Sequence, residues 1–415
     1  MQLRHAAAVL ALGLVAVCSP AVRLRAQSAP DLFASQDLQR IDLYVHSADW
    51  SRLKEDYLSN TYYPADVSWN GTTVRNVGIR SRGKASRNGS KPGLKLDFNH
   101  YASGQTFLGL KSLVLDNFGQ DPSGIRETSA MWFMARMSLP APREVHVVVY
   151  VNGDYAGVYA AVESVDKTML TRLYGGDENG NDGYLYEFSK VFEWGFTYLG
   201  PDLDAYRAFF PPRTHENGSD EALYRPIETL VRLINEKPSD ELVAAVGPLL
   251  DLSGLVRYVA LQNFVSEIDG FTGRWGTNNF YLYRPTGGTQ HVFIPWDDDL
   301  TFIDTDYGET SYQDSNVLMR KLMEIPEYRA LYISTLQQAA QSANEGFGAE
   351  PIGALEREIR RQIDLIDSAM LLDPARPWTT REYEDARDYI KHFAPRRIRY
   401  VECAVARMTG ARPCD

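Results

Sequence analysis

Two short segments in the middle of the chain carry side chains that could transfer a phosphoryl group. Asp269 precedes a glycine-rich loop that ends in Asn278 and Asn279, and a short aromatic strand follows. After a turn at 287–288, a second apolar strand leads into the aspartate run 297–299. Phosphoryl transfer from a nucleotide needs a carboxylate that orients the acceptor hydroxyl and oxygen ligands that hold a divalent metal. The order of these residues therefore favours phosphoryl transfer.

The predicted metal ligands are Asp297 and Asp299. Alternate residues of an extended chain share one face, so these two carboxylates point to one side and Asp298 points to the other. Asn278 or Asn279 could supply a further oxygen ligand. These residues predict a site for Mg²⁺ or Mn²⁺, and a solvated acidic turn is the alternative interpretation.

Asp269 is the predicted base, the carboxylate that orients the acceptor hydroxyl. It lies where a predicted helix gives way to a loop, just before the segment that carries the asparagines. The alternative is an aspartate that only caps or closes this loop, which is a common role for the residue type.

The first half of the chain supplies the positive charges that phosphates require. Lys95 lies on an alternating strand, on the face opposite Leu94 and Leu96, and is predicted to bind the phosphates. Glu127, on a helix that is apolar on nearly every face, is its predicted ion-pair partner. Arg126 is an alternative partner or a phosphate ligand, and an ordinary surface salt bridge is the alternative role for Glu127.

Two further groups are predicted to contact the nucleotide. Arg80 and Arg82 lie in a basic, small-residue turn that could cover the phosphates, although the turn lacks the G-x-G-x-x-G pattern. A solvated hairpin tip is the alternative. Glu163 lies where a predicted strand gives way to a helix, so the backbone there is the predicted hinge that meets an adenine ring. A plain domain linker is the alternative for that hinge.

The pattern of elements divides the chain into two parts. Residues 27–163 alternate between apolar and polar and contain hairpin turns at 70–71 and 152–153, which predicts a small mixed sheet. Helical patterns dominate from 164–415, interrupted by the two central strands. Residues 192–219, rich in Gly, Pro and aromatics, are interpreted as a long surface excursion. The predicted fold class is α+β, with a β-rich N-terminal lobe and a mostly helical C-terminal lobe.

The N-terminus predicts an exported protein. Residues 1–26 contain Arg4, a short apolar run and small residues up to a cleavage site near Ala26, as in a secretory signal peptide. The protein is therefore expected in the periplasm, on the cell surface or outside the cell. No other apolar run is long enough for a transmembrane helix. Cys403 and Cys414 could pair in an oxidising compartment or remain free thiols.

The composition is that of a globular, acidic protein. With 44% hydrophobic and 23% charged residues, the chain can bury a sizeable core, which argues against a disordered chain. The 54 acidic residues outnumber the 43 basic ones, for a formal net charge of −11. This excess argues against a nucleic-acid partner or an anionic membrane surface. The oligomeric state is not predicted.

Several motifs in this order resemble the CotH kinase family, the spore coat protein H-like atypical kinases. They are Gly78-Ile-Arg80-Ser-Arg82-Gly83 with Lys91-Pro-Gly-Leu-Lys95-Leu; Asp121-Pro-Ser123-Gly-Ile-Arg126; Tyr150-Val-Asn152-Gly-Asp-Tyr-Ala-Gly157-Val-Tyr159 with Glu163-Ser-Val-Asp166-Lys167; Asn279-Phe-Tyr-Leu-Tyr283; and Ile294-Pro-Trp-Asp297-Asp-Asp299-Leu-Thr-Phe302. The resemblance implies a protein-kinase-like two-lobe fold and transfer of the γ-phosphoryl group of ATP, with metal ions, to a hydroxyl on a protein. It also fits export.

The residues and the resemblance together predict an exported atypical protein kinase that acts on Ser or Thr of a surface or envelope protein. In this mechanism Lys95 binds the phosphates, Asp297 and Asp299 bind the metal, and Asp269 orients the acceptor hydroxyl. The main alternative is a non-catalytic, kinase-like coat or surface assembly protein, since ATP is scarce outside the cytoplasm. Nucleotidyl transfer in the same cleft also stays open, because a fold does not fix a function.

Overall fold

The computed structural model describes residues 27–176, 180–346 and 352–411. The predicted signal peptide lies outside the described residues. Cys403 is disulfide-bonded, but Cys414 also lies outside them, so the pairing of these two cysteines stays a prediction. Among the described helices, none combines the length and the apolar character needed to cross a membrane.

Residues 39–163 form a closed barrel of seven strands, a mixed sheet as predicted but larger than expected and closed. The strands are β1 (Gln39–Val45), β2 (Tyr63–Trp69), β3 (Thr72–Arg82), β4 (Gly93–Asp97), β5 (Ser112–Asp116), β6 (Glu144–Val151) and β7 (Asp154–Glu163). Their order around the barrel is β1-β2-β3-β4-β5-β7-β6, and a parallel pairing of β1 with β6 closes it. Inward residues such as Ile41 and Leu43 are fully buried and fill the interior.

The two predicted hairpin turns are confirmed. Asn70 and Gly71 join β2 to β3 with φ values of 46° and 81°, and Asn152 and Gly153 join β6 to β7 with 54° and 93°. Positive φ at both central residues is what a tight two-residue hairpin turn requires, and Asn-Gly adopts it at low cost. These turns fix the register of the strands on which Arg82 and Glu163 lie.

Helices and a small sheet make up most of the chain outside the barrel. The helices are α1 (Ala29–Phe33), α2 (Ser47–Glu55), α3 (Arg126–Arg136), α4 (Lys167–Tyr174), α5 (Asp204–Arg207), α6 (Asp220–Glu236), α7 (Ser239–Val246), α8 (Leu252–Phe264), α9 (Val317–Glu324), α10 (Pro326–Asn344), α11 (Ala354–Leu372), α12 (Thr380–Lys391) and α13 (Phe393–Thr409). The sheet contains β8 (Tyr184–Glu187), β9 (Phe280–Arg284) and β10 (Val292–Pro295), in the order β10-β9-β8. The mixed α+β class is confirmed, whereas the division into two lobes stays a prediction.

Residues 192–219 are not the surface excursion that their composition predicted. Trp194, Phe196 and Phe210 in this segment are almost fully buried in the main hydrophobic core. The rings of Trp194 and Phe196 stack with their centroids 4.5 Å apart. The prediction was wrong because each aromatic ring gains a large buried area, which offsets the irregular backbone around it.

A buried arginine fixes the end of helix α8, which leads into the predicted catalytic loop. Arg397 on α13 has no exposed surface, and its guanidinium donates hydrogen bonds to the carbonyls of Asn263 and Phe264 at 2.7 and 3.0 Å. It also donates to the carbonyls of Thr305 and Tyr307, which follow β10. The C-terminal helix thus connects the two segments that carry the predicted base and the predicted metal ligands.

Two buried histidines should make the fold sensitive to acid. His146 contacts the Gly124 carbonyl and His291 contacts the Leu249 carbonyl, and burial lowers the pKa of each from 6.5 to about 4. Their stabilising contribution is therefore present above pH 6.5 and is lost as the pH falls towards 4, by up to roughly 3 kcal/mol each. Urea unfolding of wild type and His146→Gln at pH 7 and pH 4.5 measures it. An identical pH dependence in both proteins would contradict the prediction.

Candidate functional site

The loop between α8 and β9 holds Asp269 in a defined orientation. The Asp269 amide donates to Oε1 of the buried Glu267 at 2.5 Å, and Nδ2 of Asn278 donates to Asp269 Oδ2 at 2.9 Å. The other carboxylate oxygen, Oδ1, is buried and accepts no hydrogen bond. Asp269 therefore has one oxygen fixed by the protein and one oxygen left for another partner.

Burial and two nearby lysines have opposite effects on the pKa of Asp269. Burial raises the pKa of Asp269, while the hydrogen bond from Asn278 and the positive charges of Lys190 and Lys84 lower it. Nζ of Lys190 lies 3.9 Å from Asp269 Oδ1. A carboxylate with these opposing influences can be ionised and still accept a proton, as a base must.

The three consecutive aspartates after β10 differ in their surroundings. Asp298 is fully buried and accepts a hydrogen bond from Nε2 of Gln262 at 3.2 Å, whereas Asp297 and Asp299 are partly exposed. Asp297 has a φ of 59°, so a left-handed turn rather than a regular strand separates the side chains. Asp298 is therefore set apart from Asp297 and Asp299 by its burial, as the sequence predicted. Metal binding by Asp297 and Asp299 stays a prediction.

The two asparagines connect the base to the aspartate run. Nδ2 of Asn278 contacts Asp269, as described above, and Nδ2 of Asn279 donates to the Asp297 carbonyl at 3.0 Å. The Asn279 carbonyl in turn accepts from the hydroxyl of Tyr258 at 3.1 Å. Because both side chains use their nitrogen inside the protein, their Oδ1 atoms are the ones that could bind a metal.

Acidic side chains from the barrel and from α3 face the aspartates. Burial, and then the charges of Glu144 and Asp297, raise the pKa of Glu127 well above its usual value. Burial also raises the pKa of Asp297 to about 6, with Asp116 contributing and Arg82 opposing. Both carboxylate oxygens of Glu144 are buried without a hydrogen-bond partner. The cluster thus brings several carboxyl groups together, and the charge of Arg82 compensates them only in part.

This donor set fits a hard divalent cation that also binds phosphate oxygens. Across the described ranges, no three His, Cys, Asp or Glu side chains converge closely enough to form a complete metal site. Mg²⁺ commonly uses only one or two carboxylates and takes its remaining ligands from water and substrate phosphates. The unpaired oxygens and mutual repulsion around Asp297 and Asp299 match that mode of binding.

Arg82 is one of the cations that face this cluster. It lies at the end of β3, partly buried, with its guanidinium 5.3 Å from the Trp296 ring centroid. Burial opposes its charge, yet Asp297 and Asp116 raise the pKa of Arg82 above its usual value. Within the described chain it forms no salt bridge. Its guanidinium can therefore contact a phosphate.

The predicted ion pair between Lys95 and Glu127 is absent. Burial and then the charge of Arg80 lower the pKa of Lys95, and no acidic side chain lies within ion-pair distance of it in the described structure. Helix α3, which carries Glu127, packs on β6, and strands β5 and β7 separate β6 from β4. The prediction was wrong because an alternating pattern does not show which strands become neighbours.

Arg126 lies near the aspartates rather than near Lys95. Asp121, almost fully buried, accepts from the Arg126 amide at 2.8 Å and lies 3.5 Å from its Nε atom. The positive charge of Arg126 also lowers the pKa of Asp299, which burial and Asp297 raise. Arg126 thus stays a candidate phosphate ligand, on the side of Asp299.

Arg80 and Glu163 already have partners in the protein. Arg80 donates to Asn60 Oδ1 at 3.1 Å and to the Ser81 carbonyl. Glu163 is almost fully buried between Arg143 and Arg172, at 2.7 and 2.6 Å. Its amide donates to the Arg143 carbonyl, so this amide is not available to an adenine ring. The nucleotide roles predicted for Arg80 and Glu163 therefore have little support in the geometry.

Three residues near the base or the aspartates were missed in the sequence. Asp116 ends a buried strand, Glu144 begins one, and Lys190 follows β8. A carboxylate at the end of an apolar strand could have marked Asp116, because Asp297 was selected by the same criterion. No local motif distinguishes Glu144 or Lys190, and only the folded chain brings them to this site.

Comparison with known proteins identifies the family. The model of the CotH kinase protein family matches residues 79–401, and the chain belongs to this family. It is 23% identical over 380 residues to inner spore coat protein H of Bacillus subtilis (strain 168), covering 88% of this chain and 97% of that protein. The crystal structure of the Helicobacter pylori proinflammatory kinase CtkA aligns with 76% of this chain and 95% of its own, with a TM-score of 0.30 and 8% identity.

Adding Mg²⁺ or Mn²⁺ to the metal-free protein should raise its melting temperature, because the cation compensates the repulsion at Asp297. A ligand at 100 times its dissociation constant contributes about 2.7 kcal/mol. Asp297→Asn should melt higher without metal and respond less to it. Asp154→Asn, at an exposed position of β7, is the control and should respond like wild type. Equal metal responses in wild type and Asp297→Asn would contradict the assignment.

Proposed function

We propose that this protein is an exported atypical protein kinase that transfers the γ-phosphoryl group of ATP to Ser or Thr of a surface or envelope protein. The observation that carries the proposal is the connected arrangement of Asp269, Asn278, Asn279 and Asp297. It joins a free carboxylate oxygen to a carboxylate cluster that fits Mg²⁺ or Mn²⁺. Membership of the CotH kinase protein family supports the same reaction.

In the proposed architecture, the barrel is the N-terminal lobe and the helical part is the C-terminal lobe, with the boundary at 163–167. ATP would lie between Arg82 of the barrel and the segments that carry Asp269 and Asp297. This arrangement is supported by the facing charges, since Asp297 and Arg82 mutually favour their ionised forms. A cleft with both signs of charge can hold a metal and phosphates together.

The proposed reaction uses each group for one task. The oxygen of the acceptor hydroxyl attacks the γ-phosphorus while Asp269 Oδ1 accepts the hydroxyl proton. The bond between the γ-phosphorus and the bridging oxygen of the β-phosphate then breaks, which releases ADP. Asp297 and Asp299 would hold the metal, which when bound neutralises charge on the phosphate oxygens. Arg82 replaces Lys95 as the leading phosphate ligand. Glu127 is proposed to orient the residues that bind the metal, and not to form an ion pair with Lys95.

The location and the substrate class are also proposals. The relative from Bacillus subtilis is named an inner spore coat protein, which supports a coat or surface location for this chain as well. The sequence of residues 1–26 supports export to that location. The acidic net charge of −11 argues that the substrate is a protein rather than a nucleic acid.

A kinase-like assembly protein without catalysis is the second candidate function. The relative's name describes a structural component, and an exported chain meets little ATP, so both observations favour it. Such a protein could keep the carboxylate cluster for metal binding alone. The two candidates differ in whether phosphate becomes covalently attached to an acceptor.

Incubation of the purified chain with ATP, Mg²⁺ or Mn²⁺ and a Ser-rich acceptor protein tests the proposal. Mass spectrometry of the acceptor should detect phosphoserine or phosphothreonine with wild type and not with Asp297→Asn. If MgATP binds in a calorimeter but no phosphorylated residue forms on any acceptor or on the chain itself, the assembly role is favoured instead.

A further inference from the structure

We propose that Lys190 is a catalytic residue that contacts the phosphoryl group during its transfer, an inference that rests on the proposed function. Lys190 lies outside every motif that points to this site. It follows strand β8, whereas the base lies in the loop between α8 and β9. The chain therefore contributes a cation to the base from a separate segment.

The distance between Lys190 and Asp269 is long enough for one substrate oxygen to bridge the two side chains. Nζ of Lys190 lies 3.9 Å from Asp269 Oδ1, which is longer than the roughly 2.7–2.9 Å of a charge-assisted hydrogen bond. A single oxygen can lie within hydrogen-bond distance of both atoms at once. The acceptor hydroxyl fits this position, since its proton would go to Oδ1. The phosphoryl oxygens that approach it would then contact the ammonium.

Neither of these two atoms is occupied by another partner of opposite charge. Oδ1 is the oxygen of Asp269 that accepts no hydrogen bond. In the part of the chain that the structure describes, Lys190 forms its one salt bridge with Asp269. The Lys190 and Asp269 side chains are 23% and 17% exposed, so both lie near the protein surface, with Oδ1 itself on the buried side of the carboxylate.

The backbone holds Lys190 in this place. The Phe188 amide donates to the Phe280 carbonyl at 3.0 Å, and the Ser189 amide donates to the Phe209 carbonyl at 2.8 Å. The rings of Phe188 and Phe280 stack with centroids 4.6 Å apart. A cation on such a fixed support needs little reorganisation when charge develops on a phosphoryl group.

Lys84 connects this segment to the barrel. Nζ of Lys84, in the basic turn after β3, donates to the Lys190 carbonyl at 2.9 Å. The basic turn that was predicted to cover the phosphates thus meets the segment of Lys190 beside Asp269. A phosphate bound between them would contact cations from both sides.

Replacing Lys190 by methionine should lower kcat by about 10²–10³-fold, the usual effect of removing one donor to developing charge, with little change in MgATP affinity. Lys190→Arg should recover part of the rate. Lys111→Met, at an exposed position between β4 and β5, is the control and should keep wild-type kcat. Thermal unfolding of each variant establishes that it is folded.

The pH profile separates catalysis from simple stabilisation of the base. Charged groups facing Asp269 are Lys190, Lys84, Asp297 and Glu267. If Lys190 only kept Asp269 ionised, raising the pH would restore the rate of Lys190→Met to that of wild type. We expect the defect to persist on the alkaline side. Two results would overturn the inference and leave the proposed function intact. One is full restoration of the Lys190→Met rate at high pH, and the other is an unchanged kcat in Lys190→Met while Asp269→Asn is inactive. An inactive wild type overturns the proposed function itself.

Discussion

Asp269→Asn should lower the rate of phosphoryl transfer by about 10²–10⁴-fold, the usual contribution of a positioned base. Asparagine has the same shape as aspartate and can still accept a hydrogen bond from Asn278, so the loop should keep its conformation. It has no carboxylate to take the proton of the acceptor hydroxyl. MgATP binding should therefore stay close to wild type, while single-turnover transfer slows.

The control for Asp269→Asn is Asp306→Asn, an exposed aspartate in the loop after β10. The same change of charge at that position should leave the rate within twofold, because Asp306 has no contact with the proposed site. Calorimetry with MgATP and thermal unfolding should give similar values for both variants. Wild-type activity in Asp269→Asn would remove the base from the mechanism and favour the alternative in which Asp269 only closes the loop.

Lys91→Met should be the most destabilising single change, lowering the free energy of unfolding by about 3–5 kcal/mol. Lys91 and Asp373 are both fully buried, and Lys91 Nζ donates to Asp373 Oδ2 at 2.7 Å. The same oxygen accepts from the Val158 amide at 3.0 Å. This pair connects the loop before β4, strand β7 and the end of α11. Without the lysine, the Asp373 charge stays buried and uncompensated.

Urea unfolding of three variants separates the buried pair from ordinary surface charge. Lys91→Met combined with Asp373→Asn should be more stable than Lys91→Met alone, because the unpaired charge is removed as well. Arg381→Met, which breaks an exposed pair with Asp385, should change stability by less than about 1 kcal/mol. An effect of Lys91→Met as small as that of Arg381→Met would show that the buried pair contributes little.

Local patterns predicted much of the secondary structure. The Asn-Gly turns located both hairpins, and the Ser219 side chain accepts a hydrogen bond from the Ala222 amide at the start of α6. These signals depend on residues a few positions apart, where steric preference and capping decide the conformation. The order of the phosphoryl-transfer residues along the chain is likewise a local property.

Long-range pairing was not predictable in the same way. The barrel closes through β1 and β6, whose residues Gln39 and Val147 are far apart in the sequence. No local pattern specifies that pairing, so the closure into a barrel was not predicted and the sheet was predicted as small and mixed. The prediction that Lys95 pairs with Glu127 was wrong for the same reason. Lys190 joins Asp269 through tertiary packing alone, and its sequence neighbourhood carries no signal of that contact.

The central claim is that this site transfers a γ-phosphoryl group from a metal–nucleotide complex. Parallel incubations of the purified chain with α-labelled and γ-labelled ATP, each with and without Mg²⁺ or Mn²⁺, test it most directly. We predict protein-bound label from γ-labelled ATP only, dependent on metal and lost in Asp269→Asn. Label from α-labelled ATP would identify nucleotidyl transfer, and no label from either nucleotide would contradict catalysis.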